Sequence, residues 1–167
     1  MTGPAVYPSL AGRAAFVTGG AARIGVAVVR ALAAQGARVH FVDIDEAGGR
    51  ALANETGAIF EPCDLRDLPR LLAVTAAVEG VTILVNDAAN DQRDDTATVR
   101  PQLWRERMAV NLEHVFFIAG DPRFHGCGRR RGHRKLWLIG LADGGTADGC
   151  LRHGQGCNSR SHKGPRT

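Results

Sequence analysis

The chain has 167 residues, of which 44% are hydrophobic and 23% charged, enough for one packed domain and without an apolar run near the roughly 18 residues of a membrane-spanning helix. Met1 to Leu10 lacks the basic and apolar regions of a secretory signal, so a cytoplasmic chain with reduced thiols is expected. The net charge of +4 is unevenly spread: residues 1–119 carry 11 Lys+Arg against 14 Asp+Glu, and residues 120–167 carry 10 Lys+Arg against 3 Asp, so the composition changes abruptly near Ala119.

Ala14 to Thr18 is an apolar run that reads as a first strand. It opens into the turn Thr18-Gly19-Gly20-Ala21-Ala22-Arg23-Ile24-Gly25, then into a helix from Arg23 to Gln35 with Gly36 as its stop. In that arrangement backbone N–H groups and the positive end of a helix dipole can meet a pyrophosphate. Arg38 to Val42 is a second strand. Asp43 follows it about twenty residues beyond the turn, where a carboxylate takes hydrogen bonds from ribose hydroxyls.

Glu46 to Thr56 reads as a short helix stopped by Gly57. Ala58 to Pro62 reads as a third strand, followed by Cys63-Asp64-Leu65, and Leu68 to Val78 as a helix ended by Gly80. Val81 to Val85 is continuously apolar, as a parallel strand buried on both faces would be. Asn86-Asp87-Ala88-Ala89 follows, then a polar loop from Asn90 to Val99. Pro101 suits the first turn of a long helix running to about Ala119. Strands alternating with helices predict an α/β fold, a doubly wound parallel sheet with right-handed crossovers. A glycine turn alone also fits other α/β proteins; Asp64 as a helix N-cap and Asn111 as a core polar group would be purely structural.

Residues 10–119 resemble the first, cofactor-binding half of the short-chain dehydrogenase/reductase family. The family's Thr-Gly-x-x-x-Gly-x-Gly turn resembles Thr18 to Gly25, with Arg23 in place of the middle glycine. An Arg there needs negative φ or carries the cost of a left-handed backbone. The resemblance implies a Rossmann-like sheet and cofactor contacts from Thr18, Gly19, Arg23, Ile24, Gly25, Asp43, Asp64, Leu65, Asn86, Ala88 and Ala89. Asn86-Asp87-Ala88-Ala89 is similar to Asn-Asn-Ala-Gly, departing at Asp87 and Ala89. Asp64 matches the acid that contacts adenine. Asn111, within Val110-Asn111-Leu112, matches the helix Asn that holds a water in the family's proton relay. Asp43 sits where NAD-preferring members carry their ribose-binding acid, and its charge would repel the 2′-phosphate of NADP, so NAD is expected ahead of NADP. The family's substrates are small alcohols or ketones and its members are usually homo-oligomeric.

The resemblance stops near Ala119. The family next needs a Ser at the end of a strand and a Tyr-x-x-x-Lys. The one tyrosine is Tyr7, ahead of the turn, and neither Lys135 nor Lys163 has a Tyr four residues before it. The catalytic acid/base and its supports are absent, and the chain is expected to be inactive. Back-translation explains the tail. Read from the second base of each codon, residues 133–139 permit Ile-Val-Asn-Phe-Gly-Ser-Leu, the family's fifth strand with its Ser at position 138. Residues 151–155 permit Tyr-x-Thr-Ala-Lys, and the spacing of 13 matches the family's. The chain therefore reads as an NAD(P)-binding half over 1–119 and an out-of-frame, basic Gly/Arg/Cys/His-rich tail over 120–167. Leu136 to Leu141, apolar through that shift, is expected to take the place of the fifth strand.

The tail has two other readings. Cys150-x-x-His153-x-x-x-Cys157, with Cys127, His125 and His133 nearby, has ligand spacing for zinc but lacks the second closely spaced couple, so no metal site is expected. Arg129-Arg130-Arg131 with Arg134 and Lys135 would meet phosphates, but Phe124 and Trp137 are too few aromatics for a stacking surface, and nucleic acid is not an expected partner. A dinucleotide-binding module without catalysis is the alternative for the body.

Overall fold

The structure is a computed structural model and describes residues 5–121 together with the backbone of residues 136–139. Five strands form one sheet: β1 (Ala14–Thr18), β2 (Arg38–Asp43), β3 (Ile59–Pro62), β4 (Val81–Asn86) and β5 (Leu136–Ile139). Their order is β3-β2-β1-β4-β5 and every pairing is parallel. Helices α1 (Arg23–Ala34), α2 (Glu46–Thr56) and α3 (Leu68–Ala76) form the connections. The expected four-strand parallel arrangement is what the chain adopts, with element ends within two residues of those read from the sequence.

Strand β5 pairs with β4 in parallel, Ile83 opposite Leu136 and Asn86 opposite Ile139. The apolar segment expected at the open edge of β4 does take the fifth position. The zinc-spaced Cys and His residues and the arginine run lie outside the described residues.

Period-two alternation splits the central strand between two cores. Ala15 and Val17 pack with Val29 of α1, Leu52 of α2, Phe41 and Ile83 on one face. Phe16 packs with Leu71 of α3, Val42, Leu84 and Ile118 on the other. All five residues of β1 are buried, as befits a strand covered by helices on both sides.

The long helix runs from Pro101 to Gly120, as expected, but not as a uniform α-helix. It consists of α4 (Pro101–Met108), a wider π-helical turn over Ala109–Glu113, and α5 (His114–Gly120). In the wide turn the His114 N–H donates to the Ala109 carbonyl. Periodicity shows no such turn in advance, because its flanks keep helical dihedrals. Helices α2 and α3 have conventional starts, Asp45 accepting from Gly48 N–H and Asp67 from Arg70 N–H, both at 3.0 Å.

Replacement of Leu71, fully buried in the second core, by Ala is expected to cost about 2–5 kcal/mol of folding free energy. Ile59, 57% exposed on the edge strand, should tolerate the same change within about 0.5 kcal/mol. Urea unfolding of Leu71→Ala and Ile59→Ala measures both; equal losses would contradict this division of the core.

Candidate functional site

The chain leaves β1 on one side, builds β2 and β3, and returns on the other side as β4. The carboxyl ends of β1 and β4 meet where the strand order reverses, the position at which open parallel sheets have their ligand crevice. Backbone hydrogen bonds fix its floor. Gly19 and Gly20 N–H donate to the Val42 carbonyl at 2.9 and 3.2 Å, and Asp87 and Ala88 N–H donate to the Thr18 carbonyl at 3.2 and 3.1 Å. The ends of β1, β2 and β4 are thereby tied together.

The glycines of the turn are required by contact. Gly19 has φ +73°, and a Cβ there would lie 2.6 Å from the Ala88 backbone; a Cβ on Gly25 would overlap the Gly19 carbonyl oxygen. Arg23 is the only non-glycine residue at positive φ among the described residues, at +44°. The expected alternative of negative φ is not taken, and the left-handed backbone costs roughly 1–2 kcal/mol relative to glycine. Its exposed guanidinium lies 3.7 Å from the Asp91 carboxylate in the loop after β4, spanning the mouth of the crevice.

Helix α1 starts differently from its neighbours. Its N-cap is Ala22, which offers no side-chain acceptor, and its first turn holds no acid. Its amino-terminal N–H groups are thus unclaimed by its own side chains and face the crevice with the positive end of the helix dipole. Ile24 is 66% exposed on this first turn, whereas Gly25 is buried.

Asp43 ends β2 half-buried. Its carboxylate accepts from Ala21 N–H at 2.9 Å and from Asp45 N–H at 3.0 Å. It therefore braces the glycine turn from below, a role the sequence did not show, while each oxygen retains a further acceptor position.

Asp64 receives the Arg66 side chain at both oxygens, at 2.9 and 3.0 Å from Nε, and the Arg66 N–H at 2.9 Å. The Arg66 guanidinium holds this carboxyl below its ordinary range. Leu65 beside it is buried. The reading of Asp64 as a helix cap is not realised, since Asp67 caps α3.

Asn86 is buried where β4 ends, and its Oδ1 has no hydrogen-bond partner. Such an orphaned acceptor beside a crevice fits a donor supplied by a ligand. Ala88 is half-buried against Gly19, and Ala89 is exposed. Asn111, on the π-helical turn, uses its whole amide on the backbone of one residue: Oδ1 accepts from Asn90 N–H at 2.6 Å and Nδ2 donates to the Asn90 carbonyl at 3.0 Å. It pins the loop after β4 to the long helix.

Two groups escaped the sequence reading. His114 is fully buried, with Nε2 3.4 Å from Thr18 Oγ1 beneath the turn and Nδ1 without a hydrogen-bond partner. Burial holds its pKa below the ordinary histidine value. Asp87, visible only as a departure from Asn-Asn-Ala-Gly, lies half-buried, and burial pushes its carboxyl pKa up. Among the described residues no three His, Cys, Asp or Glu side chains gather as a metal site, and no helix is long and apolar enough to cross a membrane.

Residues 13–121 match the family model described as short chain dehydrogenase. D-xylose 1-dehydrogenase of Caulobacter vibrioides is 41% identical over 149 residues, covering 83% of this chain and 60% of that protein. L-fucose dehydrogenase of Mus musculus is 46% identical over 107 residues, covering 60% of this chain and 39% of that protein. The chain thus spans less than two thirds of the length of either relative. Among solved structures, a variant of actinorhodin polyketide ketoreductase with NADPH superimposes with a TM-score of 0.60 at 31% identity, over 69% of this chain and 47% of that one. The D-xylose dehydrogenase match covers too large a share of the chain to end at residue 121.

The neutral state of His114 makes folding pH-dependent. The native protein resists its protonation, whereas the unfolded chain takes up the proton below about pH 6.5. Stability is therefore complete above about pH 6.5 and falls as pH drops through that value. His40, also half-buried with a lowered pKa, adds in the same direction. Urea unfolding at about pH 7.5 and about pH 5.5 should show this loss, and His114→Gln should show a smaller one. An unchanged loss in the variant would contradict the assignment.

Proposed function

The chain belongs to the short chain dehydrogenase family, and on that premise we propose that residues 1–119 are the dinucleotide-binding half of an NAD(P)-dependent oxidoreductase acting on a small alcohol or carbonyl. One observation carries the reading: the uncapped amino end of α1 and the glycine turn meet the orphaned Asn86 acceptor at a single crevice between β1 and β4. The family's cofactor is NAD(P), and when bound it supplies the hydride acceptor or donor at this crevice.

The chain's own residues do the holding. The N–H groups around Gly19 to Gly25 receive the pyrophosphate, and Arg23 adds a positive charge at the rim. Asp43 accepts from the adenosine ribose hydroxyls through the oxygen positions left after Ala21 and Asp45, and its charge favours NAD over NADP. Asp64 and Leu65 flank the adenine, which requires the exposed Arg66 side chain to move aside. Ala88 and Ala89 line the wall. Asn111, anchored through its side chain to Asn90, is the residue that would hold a water of the proton relay. The dehydrogenases of D-xylose and L-fucose among the relatives support a sugar or polyol as substrate. The exposed Trp104, Leu112 and Phe116 of the long helix support association with further copies.

Residues 120–167 supply no Tyr-x-x-x-Lys, and this favours a second reading, a binding module without turnover produced by a shift of frame near residue 120. The D-xylose dehydrogenase match running past residue 121 weighs against the shift, and the gene sequence decides between them.

Calorimetric titration with both cofactors should give tighter binding of NAD than of NADP, with Asp43→Ala narrowing the gap. Tighter NADP binding by the unaltered chain would remove Asp43 from its proposed role. A panel of sugars and alcohols should give no NAD-linked oxidation, since general acid/base catalysis worth about 10²–10⁴-fold has no residue to perform it. On the second reading, the nucleotide sequence encodes Ser, Tyr and Lys near positions 138, 151 and 155 in the shifted frame. Robust turnover, or a shifted frame without Tyr-x-x-x-Lys, would overturn the second reading.

A further inference from the structure

The loop after β3 brings an acid and the group that covers it to the carboxyl end of the sheet. The Cys63 N–H donates to the Asp43 carbonyl at 3.0 Å, and the Asp67 N–H donates to the Asp64 carbonyl at 2.9 Å. Cys63 and Leu65 are buried in the second core with Phe16 and Leu71. Asp64 and Arg66, which alternate with them, keep side chains that are 33% and 52% exposed. The turn that holds Asp64 beside the end of β2 thus also holds Arg66 against it.

Arg66 fills the carboxylate. Oδ1 accepts from the Arg66 N–H at 2.9 Å and from Nε at 3.0 Å. Oδ2 accepts from Nε at 2.9 Å and from Nη2 at 2.5 Å. An ionised carboxylate has about four acceptor positions, and among the described residues every hydrogen bond to this one comes from Arg66. Asp43 differs, because its two N–H partners leave room on each oxygen. The Asp64–Arg66 pair is half-exposed, and such a pair is held only weakly against solvent. A donor on a ligand can therefore displace the guanidinium. If the guanidinium stays, its Nη1 N–H groups remain for an acceptor on a ligand.

We propose that Arg66 is a specificity-determining residue that makes the base end of the site tolerant. A base edge with an amino group displaces the guanidinium and donates to Asp64, whereas a base edge with a carbonyl leaves the pair intact and accepts from Arg66. The inference rests on the dinucleotide reading of this site, with the base at Asp64. Adenine gains a charge-assisted bond to Asp64 at the cost of the ion pair. A hypoxanthine base keeps the pair and gains a charge-assisted bond from Arg66. The gains oppose one another, so the unaltered site discriminates little between the two bases. Without Arg66, Asp64 stands open, favours the amino group and repels the carbonyl oxygen.

The test is calorimetric titration of the full chain and of Arg66→Ala with NAD and with nicotinamide hypoxanthine dinucleotide. The second probe has a carbonyl where adenine has its amino group. Arg66 is exposed, and its replacement should leave the fold intact. The unaltered chain should bind the two dinucleotides with dissociation constants within about threefold of each other. The variant should bind NAD about threefold more tightly and the hypoxanthine analogue about threefold more weakly, opening the ratio to about tenfold. A purely structural role for Arg66 would move both affinities in the same direction. A preference for NAD of about tenfold or more in the unaltered chain, or the same ratio in both proteins, would overturn the role of Arg66 and leave the dinucleotide site standing. Absence of binding of either dinucleotide to either protein would overturn the site and this inference together.

Discussion

Everything at the crevice depends on where β1 sits. With β2 on one flank and β4 on the other, the carbonyl of its last residue, Thr18, faces the returning chain and accepts from Asp87 and Ala88. The next two N–H groups, of Gly19 and Gly20, turn the other way to Val42. The same few peptides thus join three strand ends and start the glycine turn. A shift of one residue in β1 would also exchange the two cores, because Phe16 and Val17 face opposite sides. Site geometry and core packing therefore share one register.

The parts legible in the sequence are those written in local pattern. Apolar runs marked all four strands of the body, and Gly36, Gly57 and Gly80, each at positive φ, marked the stops between elements. The glycine turn with Asp43 beyond it marked the candidate site. The apolar run from Leu136 also marked a strand, which pairs in parallel with the edge of β4.

Side-chain partnerships far apart in sequence were not legible. Thr18 and His114 meet across 96 positions, and Asn111 meets Asn90 across 21; no periodicity encodes either. The bracing of Ala21 by Asp43 was hidden because the same acid already had a reading as a ribose ligand. The π-helical turn was hidden because Asn111 and its neighbours are ordinary helix residues. These contacts share a purpose: they hold the backbone of the crevice still, so that donors at the start of α1 keep their direction. Arg23 and Asp87 are different. They put opposite charges near the amino end of α1, where the resembled motifs have glycine and asparagine.

The central claim is that the peptides between β1 and α1, with those ending β4, form one dinucleotide-binding surface. A titration of the 15N-labelled chain with NAD, followed by amide chemical shifts, tests it most directly. The account predicts the largest shifts at Gly19 to Gly25, with companions at Asp45, Asp87 and Ala88, and little change at Ile59 on the far edge strand. Shifts concentrated away from the ends of β1 and β4, or no saturable shifts at all, would contradict it.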